Sequence, residues 1–215
     1  STSLSQGFAD KSKGDLMALM VLLRHGQSVW NAENRFTGWV DVDLSPKGII
    51  EAEAAGDALA DICFDVVHTS TLMRAQRTAT IVMERNRASN NPPIHRDERL
   101  NERHYGALQG LNKDETREKH GADQVHIWRR SFNVPPPEGE SLEMCAERTL
   151  PYLHEAIIPD LKAEATILVA AHGNSLRSIV MAIEDLTPEE ILSVEIPTGT
   201  PMLYNYENGV FSRKD

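Results

Sequence analysis

Several features that would assign this chain to a specialised class are missing from it. No apolar run approaches the ~18 consecutive residues that a bilayer crossing requires. Residues 1–15 are polar and lack the apolar centre of a signal peptide. They read as a flexible arm or an expression remnant, with residues 16–215 forming one domain. Cys63 and Cys145 are the only cysteines in 215 residues. They read as small core residues of a reducing, cytoplasmic setting and not as a disulfide framework. Positive charge is in deficit: the formal net charge is −10, which argues against nucleic acid as a partner. A glycine-rich phosphate loop with its lysine is absent, so nucleotide-driven phosphoryl transfer is disfavoured. His68, His95, His104, His120, His126 and His154 are scattered without ligand spacing or cysteine partners, and no metal site is expected.

What remains is an ordinary soluble composition, 40% hydrophobic and 25% charged. The run Leu16–Leu23 is aliphatic without alternation, as in a strand buried on both faces. Arg24-His25-Gly26 follows it directly. A second such run, Ile167–Ala171, is followed by His172-Gly173. Residues 27–43 read as a long ordered loop, a length that is usually functional. Ser45-Pro46 opens a helix with Ala52, Ala55, Leu59 and Ile62 inward. Residues 64–69 form a strand, and Ser70 or Thr71 caps a helix with Leu72, Ala75, Ala79 and Val82 inside. A short strand is expected at Ile94–Arg96, two short helices at 112–120 and 123–130, and extended chain at 133–139. Ser141 caps a helix to about Ala163 that Pro151 must kink or split. A helix from Asn174, a short helix at Thr187-Pro188 and a hairpin around Asn208-Gly209 complete the chain. Alternating strands and helices predict an α/β fold, with a mostly parallel sheet, helices on both faces and an antiparallel element from the hairpin.

Two buried strands that each release a histidine mark a candidate site, because open α/β sheets bind ligands at the carboxyl edge. A neutral histidine aimed by a bond at its other nitrogen can be a nucleophile. Arg24 offers a planar fork that matches phosphate oxygens. Arg74 falls in the first turn of a helix, where the dipole disfavours a cation unless an anion lies opposite. Glu102 sits in an irregular polar segment and suits an acid/base role. Each has a plainer reading: His25 as a structural strand-end histidine, Arg74 as a solvated helix residue, Glu102 as an ion-pair partner of Arg99 or Arg103, and Arg129-Arg130 as a surface pair.

Five stretches together resemble one family: Arg24-His25-Gly26-Gln27-Ser28-Val29-Trp30-Asn31, Phe36-Thr37-Gly38-Trp39, Leu100 to Gly110, Trp128-Arg129-Arg130 and Ala171 to Arg177. They are similar to the 2,3-bisphosphoglycerate-dependent phosphoglycerate mutases of the histidine phosphatase superfamily, over nearly the whole chain from about Leu19 to Tyr206. The first and last stretches are shared across the superfamily, whereas Asn101 to Gly106 and the arginine pair are more specific to the mutases. The resemblance implies a three-layer fold with one antiparallel strand. It implies that His25 becomes phosphorylated, that Glu102 exchanges a proton with the substrate hydroxyl, and that His172, cationic or strongly donating, stabilises the moving phosphoryl group with Arg24 and Arg74. It further implies substrate contacts from Gly26, Gln27, Ser28, Asn31, Thr37, Gly38, Arg103, His104, Tyr105, Lys113, Arg129, Arg130, Gly173 and Asn174. The substrates would be 3-phosphoglycerate and 2-phosphoglycerate, with 2,3-bisphosphoglycerate as the priming donor, no metal, no membrane and a homodimer. The segment between Arg130 and His172 is shorter than in many family members, and the tail after Phe211 is brief. A phosphatase of small phosphomonoesters would keep His25, Arg24, Arg74 and His172 but would not need Lys113 and Arg129-Arg130. A non-catalytic binder would lack the nucleophile or the acid.

Overall fold

The computed structural model describes residues 17–214; the expectation for residues 1–15 lies outside them. The first strand, β1 (Ala18–Arg24), is followed by a one-turn helix α1 (Val29–Ala32) and by α2 (Pro46–Ala58). Next come β2 (Val66–Thr69), α3 (Met73–Arg85), β3 (Ile94–Arg96), α4 (Lys113–His120) and α5 (Ala122–Arg130). The second half holds α6 (Leu142–Tyr152), α7 (Ile158–Lys162), β4 (Thr166–Ala171), α8 (Gly173–Ile183), α9 (Pro188–Ile191) and the hairpin β5 (Met202–Glu207) and β6 (Val210–Lys214).

The strands form one sheet in the order β3-β2-β4-β1-β5-β6. β3, β2, β4 and β1 run parallel; β5 pairs antiparallel with both β1 and β6, so it alone runs against the rest. The unalternating run of β1 is now explained by its two covered faces. Met20 and Leu22 pack with Tyr152, Leu161, Ile179 and Val180 on one side. Val21 and Leu23 pack with Ala55, Leu59, Ala79 and Val82 on the other. The sheet is the middle of three layers, with α2 and α3 below it and α6, α7 and α8 above. A smaller cluster, Phe36, Leu108 and Val125, packs with Tyr105 and Trp128 beneath α4 and α5.

Several local expectations are corrected. The 27–43 loop contains α1, capped by Ser28 and Asn31, whose side chains bond each other's backbone N–H at 3.0 Å. α2 ends at Ala58, and Ile62 reaches its core from a turn beyond the helix. The residue before α3 is Leu72, with no side-chain cap, because Ser70 is engaged elsewhere. Residues 133–139 are not extended throughout: Gly139 N–H bonds Pro136 C=O at 3.0 Å and Glu138 adopts φ 61°, which makes a turn. Cys63 is exposed, whereas Cys145 is buried. Pro151 lies inside α6 and does not split it: helical backbone runs on through a π turn, Leu153–Ile157, into α7. Among the described residues no helix is long and apolar enough to cross a membrane.

Candidate active site

Parallel pairing of β1 with β4 aligns Arg24 with Ala171, so the next residue of each strand is a histidine. The His25 and His172 rings lie 5.1 Å apart between centroids. Nδ1 of His25 is 2.6 Å from its neighbour's carbonyl, that of Gly26. A carbonyl can only accept, so Nδ1 carries the proton, and Nε2 of a neutral ring keeps its lone pair. Burial, followed by the charges of Arg74 and Arg24, holds the His25 pKa well below its ordinary value. His25 is therefore held neutral, with the Nε2 lone pair as its accepting side. His172 was expected to be cationic or strongly donating, and its surroundings disfavour the charged form. Burial first, then Arg74, His25 and Arg24, push its pKa well down as well, which leaves a neutral ring.

A cavity of about 280 Å³ opens at this edge, and His25, Arg24, Asn31, Thr37, Gly38 and Arg74 are among its lining residues. Arg74 is 1% exposed and donates to the carbonyls of Val40 (3.0 Å) and Gly38 (2.7 Å). These bonds hold the guanidinium in place, while burial lowers its pKa to about 10. Arg24 donates to the Ile196 carbonyl at 2.9 Å. Arg24 Nε, Thr37 Oγ1 and His172 Nδ1 are buried without a hydrogen-bond partner. Three such atoms at one sheet edge fit an anion, since buried polar groups are otherwise almost always paired.

Glu102 also lines the cavity. Its Oε1 accepts from the backbone N–H of Arg103 (2.7 Å) and Asn174 (3.1 Å). Its carbonyl accepts from Trp39 Nε1 (2.6 Å) and Arg148 (2.8 Å). Oε2 is left on the cavity side, 3.7 Å from where a Cβ on Gly173 would lie. Tyr105, Lys113, Arg129 and Arg130 line the same cavity. Burial, then Arg129 and Arg24, lower the Lys113 pKa to about 8. Among the described residues, seven cationic side chains and two carboxylates line this cavity of an acidic protein. It is a local basic well.

The family model for the histidine phosphatase superfamily (branch 1) matches residues 20–214. The chain belongs to this superfamily. A 2,3-bisphosphoglycerate-dependent phosphoglycerate mutase of Rhizobium meliloti is 53% identical over 199 residues, covering 91% of this chain and 94% of the relative. Its counterpart in Parvibaculum lavamentivorans is 51% identical, covering 88% and 91%. Within the superfamily the chain groups with these mutases. The solved structure described as Bacillus stearothermophilus YhfR is 29% identical with a TM-score of 0.80, covering 91% of this chain and 95% of its own. Another, described as Mycobacterial hydrolase 1, has a TM-score of 0.80 at 23% identity and shares the fold.

For this member of the mutase family, the residues expected to touch substrate divide into those in the wall and those behind it. Arg24, His25, Asn31, Thr37, Gly38, Arg74, Glu102, Tyr105, Lys113, Arg129, Arg130, Gly173 and Asn174 line the cavity. Gly26, Gln27, Ser28, Arg103, His104 and the fully buried His172 are not among its lining residues. Gly26 lets the turn approach α2, where a Cβ would lie 2.1 Å from the Gly48 carbonyl. Gln27 ties the loop to Ser45 (2.8 Å) and Glu51 (3.0 Å). His104 Nδ1 accepts from Gly106 N–H at 2.9 Å. Arg103 donates to the carbonyls of Glu140 (2.6 Å), Arg129 (3.4 Å) and Trp128. It therefore caps the C-terminal end of α5 instead of facing the cavity. Arg35, Phe36, Arg177, Glu195 and Ile196 also line it and were not anticipated as site residues. One signal was available for Arg177: it lies four residues after Gly173, on the same face of α8.

Proposed function

We propose that this chain interconverts 3-phosphoglycerate and 2-phosphoglycerate, passing a phosphoryl group through Nε2 of His25. The observation that carries the reading is the neutral, carbonyl-aimed His25 in a cavity that Lys113, Arg129 and Arg130 line beside Arg24 and Arg74. A single-phosphate hydrolase has no need of those three further cations. The three unpartnered buried atoms fit a phosphoryl group beside His25. When bound, 2,3-bisphosphoglycerate supplies the phosphoryl group that primes this histidine. Nε2 forms the new P–N bond as the P–O bond to the donor oxygen breaks, and the reverse exchange returns the group to the other hydroxyl. Arg24, Arg74 and His172 take up the charge that spreads over the phosphoryl oxygens. Glu102, fixed through Oε1, has Oε2 to exchange a proton with the hydroxyl that gains or loses phosphate. The reading takes the chain as a cytoplasmic homodimer that works without a metal.

Incubation with 2,3-bisphosphoglycerate, followed by intact mass and an isomerase assay, tests the reading. A gain of one phosphoryl group is expected, absent in His25→Ala, together with 2-phosphoglycerate from 3-phosphoglycerate. A gain that survives in His25→Ala sinks the mechanism. Phosphate release without 2-phosphoglycerate would make the chain a phosphatase.

A further inference from the structure

The sheet order brings a third residue to the two histidines. β2 pairs with β4 on the side away from β1, with Thr69 opposite Ala170, so Ser70 comes level with Ala171, one residue before His172. Its Oγ is 2.7 Å from Nε2 of His172, and both residues are fully buried. The same Oγ accepts from Leu72 N–H at 3.2 Å. A serine hydroxyl has one proton to give and two lone pairs to receive with. The Leu72 amide takes a lone pair. Among the described residues, the one partner of this Oγ able to accept its proton is Nε2 of His172. If the ring donated instead, the serine proton would be left buried without an acceptor. A ring that accepts at Nε2 keeps its own proton for an anion in the site, so with an anion bound only this arrangement pairs both protons. A neutral imidazole that accepts at Nε2 carries its own proton on Nδ1. That nitrogen is one of the three buried atoms without a hydrogen-bond partner: the Ser175 N–H at the start of α8 approaches the His172 side chain but makes no hydrogen bond to it.

We propose that Ser70 is a positioning residue for phosphoryl transfer: by donating to Nε2 it fixes His172 as the Nδ1–H tautomer and leaves that N–H for an oxygen of the group carried by His25. The role in transfer rests on the function proposed above, whereas the tautomer does not. His172 thereby stabilises the phosphoryl group as a neutral donor, and a serine outside the cavity wall decides which nitrogen donates.

Ring-15N-histidine labelling of the full chain and long-range proton–nitrogen NMR test this, with the His172 signals identified by their loss in His172→Gln. At pH 7.5 the wild type is expected to show a protonated Nδ1 and a bare Nε2, and inorganic phosphate should shift the Nδ1 signal. Ser70→Ala should lose this pattern and lower kcat by about ten- to a hundredfold, with KM for 3-phosphoglycerate within about twofold. Ser70→Thr keeps the hydroxyl and should recover both the spectrum and most of kcat. A protonated Nε2 in the wild type overturns the proposal, as does an unchanged spectrum and kcat in Ser70→Ala. Should Ser70→Ala fail to fold, the wild-type and Ser70→Thr spectra decide. A wild type that makes no 2-phosphoglycerate would remove the function and leave the tautomer measurable.

Discussion

Protonating His25 or His172 is harder in the folded chain than in the unfolded one, because burial and Arg74 oppose the charge. The unfolded chain takes up these protons near pH 6.5 and the folded chain only far below it. Stability is therefore fullest above pH 6.5 and declines as pH falls beneath it, by up to about 1.4 kcal/mol per pH unit for each histidine. Urea unfolding at pH 7.5 and 5.5 should show the loss, and the double variant His25→Asn with His172→Asn should flatten it. A slope unchanged in that variant would contradict the buried neutral rings. For Glu102, replacement by Gln keeps the two backbone bonds at one oxygen but ends proton exchange. It should lower kcat by about a hundredfold or more with little change in KM. Arg24, His25, Arg74 and His172 were legible because each stands at a strand's carboxyl end or just after it, and parallel strands gather such ends on one edge. Ser70 was legible only as a helix cap, since its partner is set by which strand lies next to β4. Arg35 and Glu195 gave no signal at all: a lone charge in a loop looks the same whether it meets solvent or a cavity.

At the scale of elements, α4 and α5 carry the further cations, and their placement depends on contacts at their ends. Lys113 begins α4 and, with its pKa near 8, holds its charge below that pH and sheds it above. KM for 3-phosphoglycerate should rise between pH 7.5 and 9. Lys113→Arg, which stays charged, should show a smaller rise. Arg103 ties the α5 terminus to Glu140 and so sets where Arg129 and Arg130 point. Arg103→Met should raise KM about tenfold and lower stability by about 2–3 kcal/mol, as expected for charged hydrogen bonds lost from a buried position. A change confined to kcat would instead place Arg103 at the reacting atoms. The family likeness pointed to Arg103 as a ligand contact, but in an irregular segment no period tells which side of the chain a residue faces. The same lack of period concealed the turn at Glu138.

For the whole molecule, the layers and the parallel core could be read from the unalternating strands and the helices between them. The order β3-β2-β4-β1-β5-β6 could not, because hydrophobic pattern says which faces are covered and not which strands are neighbours. That order is what joins residues 24, 70, 102 and 172 in one site. The cavity's cations also work against the charge of the whole chain. At distances beyond roughly 10 Å at 0.1 M salt the two fields are screened from each other, so a phosphorylated ligand meets repulsion far off and attraction close in. The consequence is a double behaviour in chromatography. At pH 7.5 the protein should bind an anion exchanger through its surface, and should also be retained on a resin bearing phosphate esters through its cavity. From the second column, low millimolar phosphoglycerate should release it at a salt concentration too low to release it otherwise.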